Sequence, residues 1–204
     1  MSGLTNDAAA NAAHEAVLIR AARQGDVEAF NALVLMYQTG IYNLAYRLTG
    51  DPDAAADAAQ ETFINAFRNL TQFHDGSFRA WLNRIATNAC YDELRRRQRR
   101  PTVSLDDPAH EIRWASTAES PESAAQRAEL NRAIQNCLSG LPDDQRAVVV
   151  LCDVQGFDYQ EIAAITGQAL GTVKSRLSRA RGRLRDCLNA VRELLPDSHR
   201  SNQE

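Results

Sequence analysis

Residues 157–188 read FDYQEIAAITGQALGTVKSRLSRARGRLRDCL, and their types and spacing suit nucleic-acid recognition. A short helix, Tyr159 to Thr166, is expected first, then Gly167 and a tight turn, then a second helix from about Gly171. Ala163, Gly167 and Val173 have helix-turn-helix spacing. The small Ala lets two helices cross closely, and the Gly accepts a positive φ. Val173, Leu177, Ala180, Leu184 and Leu188 fall on one side of the second helix. Thr172, Lys174, Ser175, Arg176, Ser178, Arg179, Arg181 and Arg183 cover the other sides, with no acid before Asp186. A helix of this kind can enter a major groove, its first turns reading bases and its Arg residues holding phosphates. The plainer reading is an αα-hairpin with a basic, solvated face.

A second segment, FRAWLNRIATNACYDELRRRQRR at 78–100, sets Phe73, Phe78, Trp81 and Tyr91 beside Arg and Asn. Asn can read base edges, and aromatic rings can stack on unpaired bases. Arg79 and the terminal Arg run suit a phosphate backbone. Trp81 taken alone reads as core. A third segment, Asp57 to Phe63, breaks the usual core pattern and puts Asp57, Gln60, Glu61 and Arg68 on one exposed stripe. Signs of catalysis are missing. The histidines (His14, His74, His110 and His199) fall in expected loops, linker or tails, and no Walker loop, HExxH, GxSxG or Cys/His pair occurs. Neither an enzyme activity nor a cofactor or metal site is expected.

Charge supports the two basic segments. Residues 79–100 carry +5 and residues 171–192 carry +6, leaving −14 on the rest of a chain whose net charge is −3. Concentrated positive charge in an acidic chain is a nucleic-acid footprint. At 204 residues, 44% hydrophobic and 24% charged, the chain reads as an ordinary soluble protein of one or two domains. No apolar stretch is long enough for a membrane span, and the first residues lack the basic-then-apolar order of a signal peptide. Cys90, Cys137, Cys152 and Cys187 are far apart in sequence, which reads as unpaired thiols in a reducing cytoplasm.

The elements that must position these residues are all helical. A 3.6-residue period runs through Phe30, Leu33, Val34, Tyr37, Ile41, Leu44, Ala45 and Leu48, and Gly50-Asp51-Pro52 ends that helix. Asp53 is expected to cap the next helix, whose core stripe reads Ala56, Ala59, Phe63, Phe67 and Leu70. Residues 71–77 read as a loop. A third helix carries Trp81, Leu82, Ile85, Ala86, Ala89 and Leu94, and Pro101 marks its end. Residues 101–121 hold three Pro and four acids with no period, which reads as an acidic flexible linker. Helices resume through Leu130, Ile134, Cys137, Leu138 and Leu141, and then from Pro142 through Ala147, Val148 and Leu151 to a break at Gly156. The expectation is an all-α protein of two small helical domains, 15–100 and 122–195, the second with a helix-turn-helix. A disordered tail is expected over 1–14, and another short tail over 196–204.

The ordered blocks AFNALVLMYQTGIYNLAYRLTGD, DAAQETFINAFRNL, FRAWLNRIATNACYDELRRR and LPDDQRAVVVLCDVQGFDYQEIAAITGQALGTVKSRLSRARGRLR resemble bacterial sigma factors of the extracytoplasmic-function, group four type. The resemblance covers about residues 15–195 and implies regions two and four only. It implies that Asp57, Gln60 and Glu61 dock the clamp helices of the polymerase β′ subunit. It implies that the loop with Phe73 and His74 captures a base flipped from the −10 non-template strand. Asn88 falls at a base-contacting position, with Arg79, Arg84, Asp92 and Arg95 nearby. The helix 171–185, with Thr172, Lys174, Ser175, Arg176, Ser178, Arg179 and Arg181, falls at the −35 reader. The implied partners are core RNA polymerase (clamp helices and β flap), promoter DNA and an anti-sigma factor. Ala58 and Ala59 stand where many relatives carry larger apolar residues. A stand-alone helix-turn-helix regulator binding duplex DNA as a dimer would explain 157–188 and leave 53–100 unemployed. An RNA-binding helical protein would explain 79–100 alone.

Overall fold

The computed structural model describes residues 3–74, 76–99 and 121–194. It contains α1 (Gly3–Arg23), α2 (Val27–Thr49), α3 (Pro52–Asn69), a 3-10 turn (Leu70–Gln72), α4 (Phe78–Arg99), α5 (Pro121–Ser139), α6 (Asp143–Val149) with a π-helical extension (Val150–Val154), α7 (Tyr159–Thr166) and α8 (Leu170–Leu194). Among the described residues there is no strand, and no helix is long and apolar enough to cross a membrane. The all-α, two-domain expectation holds. The linker proper, 101–120, lies outside the described residues.

In the N-terminal domain, α2 runs through the centre and packs against α1, α3 and α4. Asp26 caps α2 by accepting the Ala29 N–H at 3.0 Å, and Gly50, at φ 74°, ends it in the left-handed conformation. Leu33, Ile41, Leu44, Leu48 and Leu82 are the large, fully buried side chains there. The C-terminal domain buries Val148, Val150, Leu151, Ile162, Val173 and Leu177 where α6, α7 and α8 meet.

Four local readings are corrected. Residues 3–14 are not a disordered tail but the first half of α1, which also takes His14 into a helix. The cap of α3 is Asp51, not Asp53: its carboxylate accepts the Ala54 N–H at 2.8 Å, and Pro52 takes the first turn, where no N–H is needed. The buried face of α3 is Ala54, Ala55, Ala58, Thr62 and Ala66. Ala56 is therefore exposed, Phe63 half-buried, and Phe67, at 47% exposure, leans edge-on against Phe30 from outside. Four alanines on one face let α3 lie close to its neighbours, so its large side chains are pushed to the flanks.

The fourth correction concerns the cysteines. Cys137 of α5 and Cys187 of α8 form a disulfide with Cα atoms 5.8 Å apart, while Cys90 and Cys152 are free thiols. The Cys90 thiol is pushed up to about 12 by burial, which keeps it protonated and inert. The disulfide joins residues 50 apart, and closing a loop of that length removes about 4 kcal/mol of unfolded-state freedom. Replacing both Cys137 and Cys187 by Ser should lower C-terminal domain stability by about that amount. Guanidinium denaturation with and without a reductant checks it, and reduced wild type should fall to the midpoint of the double variant.

Candidate nucleic-acid interface

Three surfaces carry the residues singled out by the sequence. The first is the outer face of α3. With its alanines turned inward, α3 presents Asp57, Gln60 and Glu61 to solvent. Ile64 and Phe67 continue the stripe at 42% and 47% exposure. Phe67 was expected in the core stripe and Ile64 carried no expectation; the buried register is set by the alanines and Thr62, which turns both outward. Asp57 lies 3.8 Å from Arg96 of α4, with both side chains more than 60% exposed. An acidic-then-apolar stripe of this kind suits a protein partner better than a nucleic acid.

The second surface is the loop after α3 together with α4. Gly76 turns the chain at φ 100°, and Ser77 accepts the Ala80 N–H at 3.1 Å as α4 begins. Phe73 is not a solvent-facing stacker. It is 8% exposed, and its ring sits 5.5 Å from Phe78 and 5.3 Å from Trp81. It is one of the residues lining an open cavity of about 300 Å³, together with Gln72, His74, Trp81 and Arg84 and, from the other domain, Ala164 and Ile165 of α7. His74, Arg79, Arg84, Asn88, Asp92 and Arg95 are all exposed. Arg84, Asn88, Asp92 and Arg95 repeat at helical spacing, so one face of α4 carries them. Asp92 and Arg95 pair at 3.0 Å. Arg79 donates to the Gln155 carbonyl and stacks its guanidinium 4.3 Å over the Phe157 ring.

The Arg run divides by partner. Glu93 is 8% exposed and takes Arg96 at 2.6 Å and Arg97 at 2.9 Å. Arg97 also reaches Asp51 at 2.8 Å and holds that carboxyl below the usual carboxylate range. Arg96 and Arg97 therefore tie α4 to its own domain, and of the pair only Arg96 keeps a largely exposed head.

The third surface is the helix-turn-helix. Asp158 and Glu161 make a capping box at the start of α7, and Gly167 ends it at φ 67°. Val173, Leu177 and Ala180 bury one side of α8, as the period predicted. Lys174, Ser175, Ser178 and Arg179 face solvent, and Thr172 is half-buried. Arg179 folds back along the helix and donates to the Ser175 carbonyl at 3.2 Å. Two expected readers are tied from below: Arg176 pairs with Asp144 at 2.8 Å, and Arg181 grips both carboxylate oxygens of Asp153. That grip holds Asp153 below and Arg181 above their ordinary ranges. Among the described residues, the donors of this face without a hydrogen-bond or ion-pair partner are thus Lys174, Ser178 and Arg183. Among the described residues, no group of three or more His, Cys, Asp or Glu could hold a metal ion.

Comparison with known proteins matches two stretches of the chain to family models. The family described as Sigma-70 region 2 matches residues 33–100, and Sigma-70, region 4 matches residues 131–184. The chain is 41% identical over 165 residues to the ECF RNA polymerase sigma factor SigE of Mycolicibacterium smegmatis, covering 81% of this chain and 63% of that protein. It is 38% identical over 171 residues to the RNA polymerase sigma-H factor of Pseudomonas aeruginosa, covering 80% and 88%. It therefore spans less than two thirds of the first relative and most of the second. Among solved structures, the sigma factor RpoE of Bartonella quintana, in complex with the anti-sigma factor NepR, is similar at TM-score 0.63 and 30% identity over 78% of this chain and 96% of that one. CnrH, in complex with the cytosolic domain of CnrY, is similar at TM-score 0.65 and 28% identity over 87% and 98%.

A buried Phe73 makes a stability forecast. Phe73→Ala should cost about 3–5 kcal/mol, the range for truncating a core aromatic. An exposed stacking residue would cost within about 0.5 kcal/mol. Urea denaturation of the variant separates the two.

Proposed function

The chain belongs to the sigma-70 family as an extracytoplasmic-function RNA polymerase sigma factor, and we propose that its three surfaces divide polymerase docking, −10 recognition and −35 recognition among them. The stripe Asp57, Gln60 and Glu61, extended by Ile64 and Phe67, docks the β′ clamp helices of core polymerase. The loop with His74 and the α4 face with Arg79, Arg84, Asn88, Asp92 and Arg95 takes the −10 non-template strand. A flipped base enters the cavity that Phe73 helps to line, so this ring acts as part of a pocket and not as an exposed platform. The first turns of α8 read the −35 element through Lys174, Ser175, Ser178 and Arg179. Asp144 and Asp153 fix Arg176 and Arg181 beneath that face, where they steady the helix and supply positive potential.

The observation that carries this reading is the pairing, on one chain and in family order, of an acidic-apolar helix face with a basic helix-turn-helix. A stand-alone regulator has no use for the first. The protein performs no bond chemistry of its own; the polymerase does. Its DNA contacts are individually weak, and anchoring both domains on polymerase raises their effective concentration. Extruding a base costs a few kcal/mol of unstacking, which stacking and pocket contacts offset. The β flap is the second polymerase contact, the working compartment is the cytoplasm, and an anti-sigma factor binds the protein, a reading supported by the complex of RpoE of Bartonella quintana with the anti-sigma factor NepR.

Asp57→Arg with Glu61→Arg should abolish co-purification with core polymerase while circular dichroism keeps the helical signal of wild type; a folded variant that still co-purifies removes the docking assignment. Lys174→Ala should weaken promoter use by about 1–3 kcal/mol if the Lys reads a base, or flatten the salt dependence if it holds a phosphate. In-vitro transcription from promoters altered only in the −35 element checks which.

A further inference from the structure

Lys174, Ser178, Arg181 and Arg185 follow one stripe of α8 and, with Tyr159 at the start of α7, line an open groove of about 620 Å³. Cations at helical spacing along a groove suit a phosphate backbone. Arg181 stands within this stripe, yet its guanidinium is already occupied. Its Nε donates to one Asp153 oxygen at 3.0 Å, its Nη2 donates to the other, and the Cys152 sulfur lies 3.6 Å from that Nη2. We propose that Asp153 restrains Arg181 from DNA phosphates, and so sets how tightly the C-terminal domain holds duplex DNA of any sequence. This rests on the −35 assignment proposed above and goes beyond it, because it gives a role to a carboxylate on the π-helical extension of α6, outside the reading helix.

The two acids that meet α8 differ in what they hold back. Arg176, paired with Asp144 at 2.8 Å, has a side chain only 26% exposed and does not line the groove. Removing Asp144 would free no cation for DNA. Arg181 keeps 49% of its side chain exposed and does line the groove, so without Asp153 its planar fork can turn to a phosphate. A guanidinium takes carboxylate and phosphate with the same paired donors, so the two anions compete for one head group. The grip holds the Asp153 carboxyl below the ordinary carboxylate range, which keeps this competitor charged. Moving Arg181 to a phosphate leaves Asp153 bare beside a polyanion, and that repulsion offsets much of the gain.

The restraint has a use in recognition. Phosphate contacts add affinity but carry no sequence information. Each phosphate neutralised by a protein cation adds about 0.9 to the slope of log affinity against log salt. A reader rich in such contacts would hold any duplex. Withholding Arg181 keeps the sequence-independent part small. Binding then depends on the bases met by the first turns of α8 and on anchoring to polymerase.

The test is the salt dependence of duplex binding by the full chain. Wild type and variants are titrated with two labelled duplexes, one carrying the −35 element of a mapped promoter and one with that element scrambled. Asp153→Asn should bind both more tightly. Its affinity should fall about 3.5-fold further than that of wild type between roughly 50 and 200 mM salt, the effect of one added phosphate contact. Asp153→Ala, which removes the acceptor as well as the charge, should behave alike. Asp144→Asn adds the same unit of charge and should keep the wild-type slope. Asp153→Asn with Arg181→Gln removes both charges together and should return to wild type. Asp153 variants with an unchanged slope overturn the restraint. An equal gain from Asp144→Asn also overturns it, since net charge alone would then explain the effect. So does a double variant flatter than wild type, because Arg181 would already be holding a phosphate. Wild-type holoenzyme is run on the same pair of duplexes. Preference for neither overturns the −35 assignment, while the slopes still decide the restraint.

Discussion

The last turn of α2 ends in carbonyls that its own helix cannot satisfy, and the way they are satisfied decides how the molecule is assembled. The Ala45 carbonyl takes the Thr49 hydroxyl at 2.8 Å, and the Tyr46 carbonyl takes the Gly50 N–H at 2.9 Å. The next two, of Arg47 and Leu48, go to Gln135 and Arg146 of the other domain. Gly50 is required for its φ of 74°, and a Cβ there would also lie 3.0 Å from the Ser139 hydroxyl, which would have to give by a few tenths of an ångström. The following residue, Asp51, caps α3 and accepts Arg97 from α4. Residues 45–51 thus join α2, α3, α4 and the C-terminal domain at one corner. Damage there would loosen several elements at once, where damage to an outer helix face would not.

Arginine is the second organising choice. Twenty-two of the 23 basic residues are Arg, and the planar guanidinium lets one side chain satisfy several acceptors. Burial sorts them into two classes. Arg97 meets Glu93, whose side chain is only 10% exposed, and removing one partner of such a pair strands a charge. Arg95 meets Asp92 with both side chains more than 60% exposed, where a pair is worth about 0–1 kcal/mol. A phosphate can therefore draw Arg95 from its partner at little cost, while Arg97 stays bound to the fold. Charge counted along the sequence cannot make that distinction, because it depends on what lies across from each head group.

The sequence made α2, α7 and the buried side of α8 legible because their apolar residues are large and regularly spaced. It misled in α3, where the buried face is four alanines and a threonine. Alanine contributes little contrast to a hydrophobic period, so the eye follows Phe63 and Phe67, which flank the face and do not fill it. Asp53 looked like a cap by type, yet Asp51 holds the position because Pro52 must occupy the first helical turn. The disulfide was invisible for a different reason: whether Cys137 meets Cys187 depends on how α5 crosses α8, and local sequence does not encode a crossing. The site was legible as surfaces more than as roles. Asp57, Gln60, Glu61, Lys174 and Ser178 are as exposed as expected, whereas Phe73 is core, Arg176 and Arg181 are engaged, and Arg79 is held by a domain it had no evident reason to meet.

The junction between the domains is satisfied unevenly, and that unevenness bears on how firmly it holds. Arg146 finds four carbonyls, but the Tyr91 hydroxyl of α4 is buried without a hydrogen-bond partner. Burial, with Asp144 and Asp143 nearby, pushes its ionisation up to about 12. An unpaired buried hydroxyl costs about 1–3 kcal/mol, comparable to what a typical hydrogen bond or two contribute. The junction is therefore a balance between a well-satisfied cation and a poorly satisfied neighbour, and modest differential binding can tip it. A ligand shifts a two-state equilibrium only by its preference for one state.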